Sequence, residues 1–173
     1  MLITFVKNGE KQGIELAADA TVLDLARAVK ETAPHLAITC AINDTIADLS
    51  TPLSEGDTVQ LFDFSTAKGK EVFWHSSAHV LAQAVKRLFP NAQPTIGPAI
   101  DNGFYYDFAN LEISDSDFPK IEEEAEKIIQ QNLQPKKKTF SSKEEALSFF
   151  EGNPFKQELI NDIATSGQLL TGY

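Results

Sequence analysis

The chain has 173 residues, of which 42% are hydrophobic and 23% charged, so it is long enough for one or two folded domains and does not have a disordered composition. Its net charge of −10 disfavours a protein that binds nucleic acid through bulk electrostatic attraction alone. The first residues do not have the pattern of a signal peptide, and no apolar run is long enough to span a bilayer. A single cysteine, Cys40, excludes an intrachain disulfide and fits a reducing cytoplasm.

Residues 1–64 are predicted to begin with a β-hairpin followed by a short helix. The segment LITFV is followed by Asn8-Gly9, a strong signal for a tight hairpin turn, and KQGIEL provides the returning strand. Thr21 precedes a helical apolar stripe and is predicted to be its N-cap, with Asp24 near the third helical position. Pro34 is predicted to close this helix.

Three further features complete this block: a strand at AITCAI (37–42), a turn at Asn43-Asp44 and a strand at TVQLFDF (58–64). Two strands, one helix and two or three more strands in about sixty residues indicate a β-grasp, ubiquitin-like α+β fold. Such modules usually bind or position other groups, and we assign this one no catalytic residue. The polar segment STAKGK, residues 65–70, is predicted to link it to a second domain, residues 71–173.

The second domain is also predicted to be α+β, and it begins with a long helix that Pro90-Asn91 stops. The apolar stripe of this helix consists of Ala78, Leu81, Ala82, Val85, Leu88 and Phe89. The segment PTIGPAIDNGFYYDF, residues 94–108, is dense in proline, glycine and aromatic residues, and is predicted to be a tight loop that enters a strand.

Three shorter helices are predicted to follow. The first is capped by Ser116 or Asp117, runs to about Leu133 and carries an outer i,i+4 pair of Glu123 and Lys127. Its predicted inward residues are Phe118, Ile121, Ala125 and Ile128. The remaining boundaries are a capping box of Ser142 with Glu145, a stop at Gly152 with Pro154, and a last helix from Phe155 to about Ile163.

Two clusters of charge are separated along this domain. The glutamates at positions 122, 123, 124 and 126 are predicted to form a solvated helix face. The run Lys136–Lys138 fits either a solvated loop or strand edge, or a contact surface.

Two of the three histidines, His75 and His79, are four residues apart on the long helix. Residues at this spacing share a helix face, with Cβ atoms about 5–6 Å apart, so both imidazoles can point into one cavity that the small Ser76 and Ser77 leave open. Neutral imidazoles can polarise water, hold a hydroxyl or bind a metal. From spacing alone, ordinary hydrogen-bonded histidines and a functional site both fit.

The pair does not by itself predict a zinc site, because such a site needs three or four ligands. His35 and Cys40 both lie in the first block, where Cys40 is predicted to be a buried core residue. The zinc-protease pattern requires glutamate directly after the first histidine, and Ser76 stands there instead. We therefore assign no metal to His75 and His79.

The segment HSSAHVLAQAVKRLFP, followed after three residues by PTIGPAIDNGFYYDF, resembles the start of the editing domain of bacterial threonyl-tRNA synthetases. The β-grasp block resembles the TGS domain that opens those enzymes, so the resemblance covers essentially the whole chain. It implies an enzyme that joins threonine to its tRNA with ATP. Serine lacks only the β-methyl group of threonine, which provides about 1–3 kcal/mol of discrimination, so a second site hydrolyses mischarged Ser-tRNA(Thr).

The resemblance also implies roles for individual residues. His75, His79 and Lys156 are implied to be catalytic residues, and the two imidazoles would position or activate water against the aminoacyl ester. The implied substrate-binding residues are Ser77, Tyr105 and Asp107, of which Tyr105 and Asp107 equally fit packing and loop hydrogen bonds. The implied partners are tRNA(Thr), the mischarged 3′ end and the rest of the synthetase chain, in a cytoplasmic homodimer.

One part of the family's site is missing. The family completes it with a C-x-G-P-H segment, whereas this chain has no cysteine after position 40 and no histidine after position 79. The ending LLTGY resembles the strand that leads to that segment, so we expect a truncated region that edits poorly by itself. ATP, Mg and Zn are expected only in the absent catalytic core. The alternatives are a freestanding alanyl-type deacylase and a non-catalytic RNA- or protein-binding module.

Overall fold

The computed structural model describes residues 1–29 and 37–172, which form two compact units. The first unit comprises residues 1–76 with 99–103, and the second comprises residues 77–98 with 104–173. Pro34, which was predicted to close the first helix, and His35 lie outside the described residues. None of the helices in the described part of the chain has an apolar stretch long enough to cross a membrane.

The first unit contains a five-stranded mixed sheet in the order β2-β1-β5-β3-β4. Its elements are β1 (Leu2–Lys7), β2 (Glu10–Glu15), α1 (Val22–Ala28), β3 (Thr39–Ile42), β4 (Thr45–Ala47) and β5 (Thr58–Phe62). β1 and β5 are parallel, and the other neighbouring strands are antiparallel. This arrangement confirms the predicted β-grasp and the α+β class.

Local sequence explains the turns and the helix start of this unit. Asn8 and Gly9 have φ angles of 51° and 84°, and Asn43 and Asp44 have φ angles of 49° and 65°. Asparagine, aspartate and glycine tolerate this left-handed conformation, which two-residue hairpin turns require. The predicted capping box of α1 is confirmed, because the Thr21 side chain accepts from the Asp24 backbone N–H while the Asp24 carboxylate accepts from the Thr21 N–H.

The core of the first unit lies between α1 and one face of the sheet. Its largest fully buried side chains are Ile3, Val22, Leu25, Cys40 and Val59. The prediction of a buried core cysteine is confirmed: the thiol of Cys40 donates to the Ala47 carbonyl at 3.2 Å. Burial raises the pKa of this thiol to about 11, so it is protonated at neutral pH.

The long helix α2 (Ala67–Leu88) begins in the first unit and ends in the second. It starts four residues before position 71, inside the predicted linker. The Thr66 hydroxyl accepts from the Gly69 N–H at 3.0 Å, so Thr66 acts as an N-cap and allows residues 67–70 to be helical. The proposed domain limits at 64 and 71 stay a prediction.

The elements that follow are β6 (Gln93–Pro94), β7 (Ala99–Ile100), β8 (Gly103–Phe104), β9 (Phe108–Ala109), α3 (Phe118–Gln130), β10 (Lys138–Thr139), α4 (Lys143–Phe149), α5 (Pro154–Thr165) and β11 (Thr171–Gly172). β6 pairs with β9, and β10 pairs with β11, both antiparallel. The two apolar cores of the second unit are centred on Val85 with Ile121 and on Phe140 with Ile160.

Helix α3 differs from its prediction at both ends. Asp117 precedes the helix, but its carboxylate accepts from the Ser114 N–H at 3.1 Å instead of capping α3. Ile121 and Ile128 are buried as predicted, whereas Phe118 is 49% exposed because it lies in the first turn. The helix ends at Gln130 rather than Leu133, since Asn132 adopts a left-handed φ of 46°.

Two predicted side-chain pairs near these helices have different outcomes. The i,i+4 pair on α3 is confirmed by a 2.8 Å contact between Lys127 and Glu123. Ser142 caps α4 by accepting from the Glu145 N–H at 3.1 Å, but the Glu145 carboxylate bonds the backbone N–H of Ser141 rather than that of Ser142. Hydrogen bonds from Ser141, with a further contribution from Lys138, lower the pKa of Glu145 to about 2.

Candidate functional site

His75 and His79 both lie on the uninterrupted helix α2, and both are exposed residues. Four residues of α-helix correspond to about 6 Å along the axis. The division into compact units falls between Ser76 and Ser77, so His75 belongs to the first unit, while Ser77 and His79 belong to the second. Neither imidazole is packed into an apolar interior, which leaves both accessible for chemistry.

The apolar face of α2 explains the exposure of His79. Ala78, Ala82 and Val85 are 1%, 8% and 2% exposed, so the predicted stripe turns inward. His79 follows Ala78 by about 100° around the helix axis and therefore leaves that buried face. Leu88 was predicted to share the stripe but is 37% exposed, because it is the last helical residue.

The loop between β6 and β9 places Asp107. The Thr95 N–H donates to the Asp107 carbonyl at 3.0 Å, and the Asp107 N–H donates to the Ile96 carbonyl at 2.9 Å. The Thr95 hydroxyl donates to the same Asp107 carbonyl at 2.9 Å. These bonds hold the backbone of Asp107 in place, whereas the neighbouring Tyr105 side chain is 47% exposed.

Tyr106, which was not among the predicted site residues, packs inside this loop. Its ring stacks on Phe108 at 4.8 Å between centroids, and burial raises its pKa. The ring also covers Gly97 so closely that a Cβ at that position would lie 2.2 Å from it. Only glycine leaves room for this contact.

Lys156 is held by the start of α5. The Asn153 side chain accepts from the Lys156 N–H at 3.1 Å and donates to the Pro94 carbonyl at 3.1 Å. The Lys156 ammonium donates to the Thr95 carbonyl at 3.0 Å, and burial lowers its pKa. Thr95 therefore contacts two predicted site residues. Its carbonyl accepts from the Lys156 ammonium, and its N–H and hydroxyl both donate to the Asp107 carbonyl.

Besides the bonds of Asn153 to Pro94 and of Lys156 to Thr95, a third bond joins β6 to the segment just before α5. The Gln93 amide donates to the Gly152 carbonyl at 3.2 Å. We refer to the bonds of Gln93, Asn153 and Lys156 as the α5 clamp. Asn153 was not among the predicted site residues, although an asparagine directly before proline is a recognisable N-cap signal.

Two clefts open in the second unit. The first, of about 390 Å³, is mainly apolar and is lined by residues that include Tyr106, Asp107 and Phe118. The second, of about 710 Å³, is lined largely by polar residues and includes Lys156. His79, Ser77 and Tyr105 line neither cleft. Among the described residues, no group of three or more His, Cys, Asp or Glu side chains is placed to hold a metal.

Comparison with known proteins gives a domain family for the first part of the chain and similar proteins for nearly all of it. Residues 1–63 match the model of the TGS domain. The threonine–tRNA ligase of Protochlamydia amoebophila (strain UWE25) is 52% identical over 169 residues, which covers 98% of this chain and 26% of the relative. The threonine–tRNA ligase of Chlamydia caviae is 48% identical, with 99% and 26% covered, and that of Carboxydothermus hydrogenoformans is 44% identical, with 86% and 24% covered.

The chain thus spans about a quarter of the length of the curated relatives that it matches. The crystal structure of ATBAG1 in complex with HSP70 gives a TM-score of only 0.36 at 8% identity, with 97% of this chain and 99% of that chain covered. A score at this level does not indicate a shared fold. Residues 1–63 thus match the TGS domain, and nearly the whole chain is similar in sequence to the N-terminal region of threonine–tRNA ligases.

Proposed function

We propose that this chain acts as the N-terminal region of a threonine–tRNA ligase and that residues 71–173 contribute to hydrolytic editing of Ser-tRNA(Thr). The identity of 52% over 98% of the chain carries this proposal. The whole enzyme would attach threonine to tRNA(Thr) with ATP, using Mg and Zn in its catalytic core, as a cytoplasmic homodimer. A freestanding deacylase or a non-catalytic module is less well supported, because the relatives named above are threonine–tRNA ligases.

In this proposal, His75 and His79 orient or deprotonate the water that attacks the seryl ester carbonyl. Both imidazoles are exposed on one continuous helix, which supports their access to a substrate. Lys156 would stabilise the negative charge that develops on the carbonyl oxygen, since the α5 clamp holds its ammonium in place. Ser77, Tyr105 and Asp107 would contact the seryl or adenosine part of the substrate.

The test is hydrolysis of Ser-tRNA(Thr) by the longer ligase that carries this region. We expect His75→Ala to reduce deacylation by about 10²- to 10⁴-fold, the usual contribution of a general base, while threonine activation stays unchanged. His35→Ala is the matched control and is expected to retain deacylation. Equal accumulation of Ser-tRNA(Thr) in His75→Ala and parent would reject the proposal.

The same assay applies to this chain alone. These 173 residues have no cysteine after position 40 and no histidine after position 79, so they offer no counterpart of the C-x-G-P-H segment that the resemblance implies. We expect deacylation by the 173-residue chain to be far slower than by the longer ligase. Similar rates for both proteins would show that the residues of this chain suffice.

A further inference from the structure

Asparagine followed directly by glycine occurs twice in this chain, at Asn8-Gly9 and at Asn102-Gly103. In such a pair the main-chain nitrogen of glycine can attack the side-chain carbonyl carbon of asparagine, because glycine has no Cβ to hinder the approach. Both asparagines are exposed. Within the residues that the structure describes, neither side-chain amide forms a hydrogen bond that would hold it away from this attack. The sequence alone therefore gives two equivalent candidates for the reaction.

The reaction is a cyclisation followed by a hydrolysis. The glycine nitrogen loses its proton and forms a bond to Cγ of asparagine, the bond between Cγ and Nδ2 breaks, and the side-chain nitrogen leaves with that proton as ammonia. Water then opens the five-membered succinimide at either of its carbonyls, which gives aspartate or isoaspartate. Water is the co-reactant, and nothing is oxidised or reduced. Each conversion replaces a neutral amide by a carboxylate.

The hairpin around Asn8 is long and restricts this reaction. Asn8 and Gly9 connect β1 to β2, which pair over six residues of each strand. Both turn residues have left-handed φ angles, 51° for Asn8 and 84° for Gly9, as the tight turn requires. Ring closure needs rotation about the bond between Cα and the carbonyl carbon of the asparagine. At Asn8 this rotation would break the turn and the strand pairs beside it.

The hairpin around Asn102 is much shorter. The paired strands on either side of it, β7 and β8, contain two residues each. Asn102 does not adopt a left-handed φ, and a Cβ built at Gly103 would meet no other atom within 4 Å, so the peptide between them is open to rearrangement. A short pairing opens by local fluctuation more readily than a long one, because fewer hydrogen bonds break.

We propose that Asn102 is a modification site at which the folded chain deamidates through a succinimide, whereas the β1–β2 hairpin protects Asn8. Both products change the net charge from −10 to −11 and place a carboxylate beside Asp101. Aspartate leaves the path of the main chain unchanged. Isoaspartate routes the main chain through Cβ and so lengthens it by one carbon, which disrupts the two-residue turn between β7 and β8.

The experiment incubates the 173-residue chain in buffer at mildly alkaline pH and follows each asparagine by peptide mapping with tandem mass spectrometry. We expect Asn102 to convert about tenfold faster than Asn8, because opening the longer hairpin breaks at least two further backbone hydrogen bonds. An isoaspartate-specific O-methyltransferase, supplied with its methyl donor, labels the isoaspartate product and leaves the aspartate product unlabelled.

Two controls separate the fold from the local sequence. In concentrated urea both hairpins are lost, so the two asparagines are expected to convert at similar rates. Asn102→Gln keeps an amide but lengthens the side chain by one carbon, so the five-membered ring does not form. This variant is expected to lose the acidic product that anion exchange resolves from the folded parent. Asn8→Gln makes the same change in the protected hairpin and is expected to retain that product.

Three results would overturn the proposal. The first is conversion of Asn8 in the folded chain as fast as that of Asn102. The second is an unmodified Asn102 in buffer after the chain in urea has converted. The third is the same ratio of the two rates in buffer and in urea, which would assign the difference to neighbouring residues rather than to the hairpins. None of these measurements involves deacylation, so the outcome is independent of the proposed hydrolysis.

Discussion

At the scale of single residues, Gly97 permits the packing that orders the loop around Asp107. A Cβ there would lie 2.2 Å from the Tyr106 ring, and that ring is confined by its stack on Phe108. The ring cannot move away without loss of the stacking contact. The conformation of this loop therefore requires glycine, which has no Cβ, at position 97.

We expect Gly97→Ala to lower the free energy of unfolding of the second unit by about 1–3 kcal/mol, as overpacking does in well-packed sites. The measurement is chemical denaturation followed by hydrogen exchange of the loop amides. Gly13→Ala is the control, because its Cβ would meet only the flexible end of Leu2 at 3.3 Å. A Gly97→Ala variant as stable as the parent would show that the Tyr106 ring moves freely.

At the scale of secondary structure, two helices of the second unit begin with a side-chain N-cap, and one of the two caps also bonds another element. Ser142 caps α4 by accepting from the Glu145 N–H, and Asn153 caps α5 by accepting from the Lys156 N–H. Only Asn153 also donates across to another element, at the Pro94 carbonyl. The second bond belongs to the α5 clamp and connects the helix to β6.

We expect Asn153→Ala to cost about 0.5–1.5 kcal/mol more than Ser142→Ala, the net contribution of one further hydrogen bond. Asn153→Asp keeps an N-cap acceptor and removes the amide donor, so it is expected to lose only that increment. Thermal or urea unfolding of the three variants provides the values. Equal losses in Asn153→Ala and Ser142→Ala would contradict a contribution from the bond to Pro94.

At the scale of the whole molecule, the excess of acidic residues limits contact with nucleic acid. The net charge of −10 includes a run of glutamates on α3, and Glu122 and Glu126 are both exposed. Like charge repels a phosphate backbone, so attraction has to come from local sites rather than from the overall field.

We therefore expect generic duplex DNA to bind this chain with a Kd above about 10⁻⁴ M at 0.15 M salt, the weak end of non-specific binding. Replacing Glu122 and Glu126 by lysine adds two charges at each position and brings the net charge from −10 to −6. This double variant is expected to bind more tightly in the same gel-shift assay. Micromolar binding by the parent would contradict the argument from net charge.

The first unit could be predicted from local signals because hairpin turns and a capping box specify their own conformations. Asn8-Gly9, Asn43-Asp44 and Thr21 with Asp24 all behave as their residue types dictate. The start of α2 was placed late, since the cap formed by Thr66 lies inside a segment that is polar and contains glycine. The polar, glycine-containing composition of this segment favours a loop, whereas the Thr66 cap favours a helix, and the helix forms.

The candidate site was only partly predictable for a different reason. The histidines and Lys156 are recognisable by residue type and by family resemblance. The atoms that hold Lys156 and Asp107 are mostly backbone atoms of Pro94, Thr95 and Ile96, which no side-chain pattern reveals. Burial at the ends of helices, as for Phe118 and Leu88, also depends on neighbouring elements rather than on periodicity.

The carbonyl that accepts from Lys156 has an evolutionary consequence. Every amino acid offers the same main-chain oxygen, so no substitution at position 95 deletes this acceptor, and only a change of path of the polypeptide removes it. The hydrogen bond of the Lys156 ammonium therefore does not depend on which side chain stands at position 95. The second bond of Thr95 does depend on its side chain, because the hydroxyl that donates to the Asp107 carbonyl requires threonine or serine at position 95.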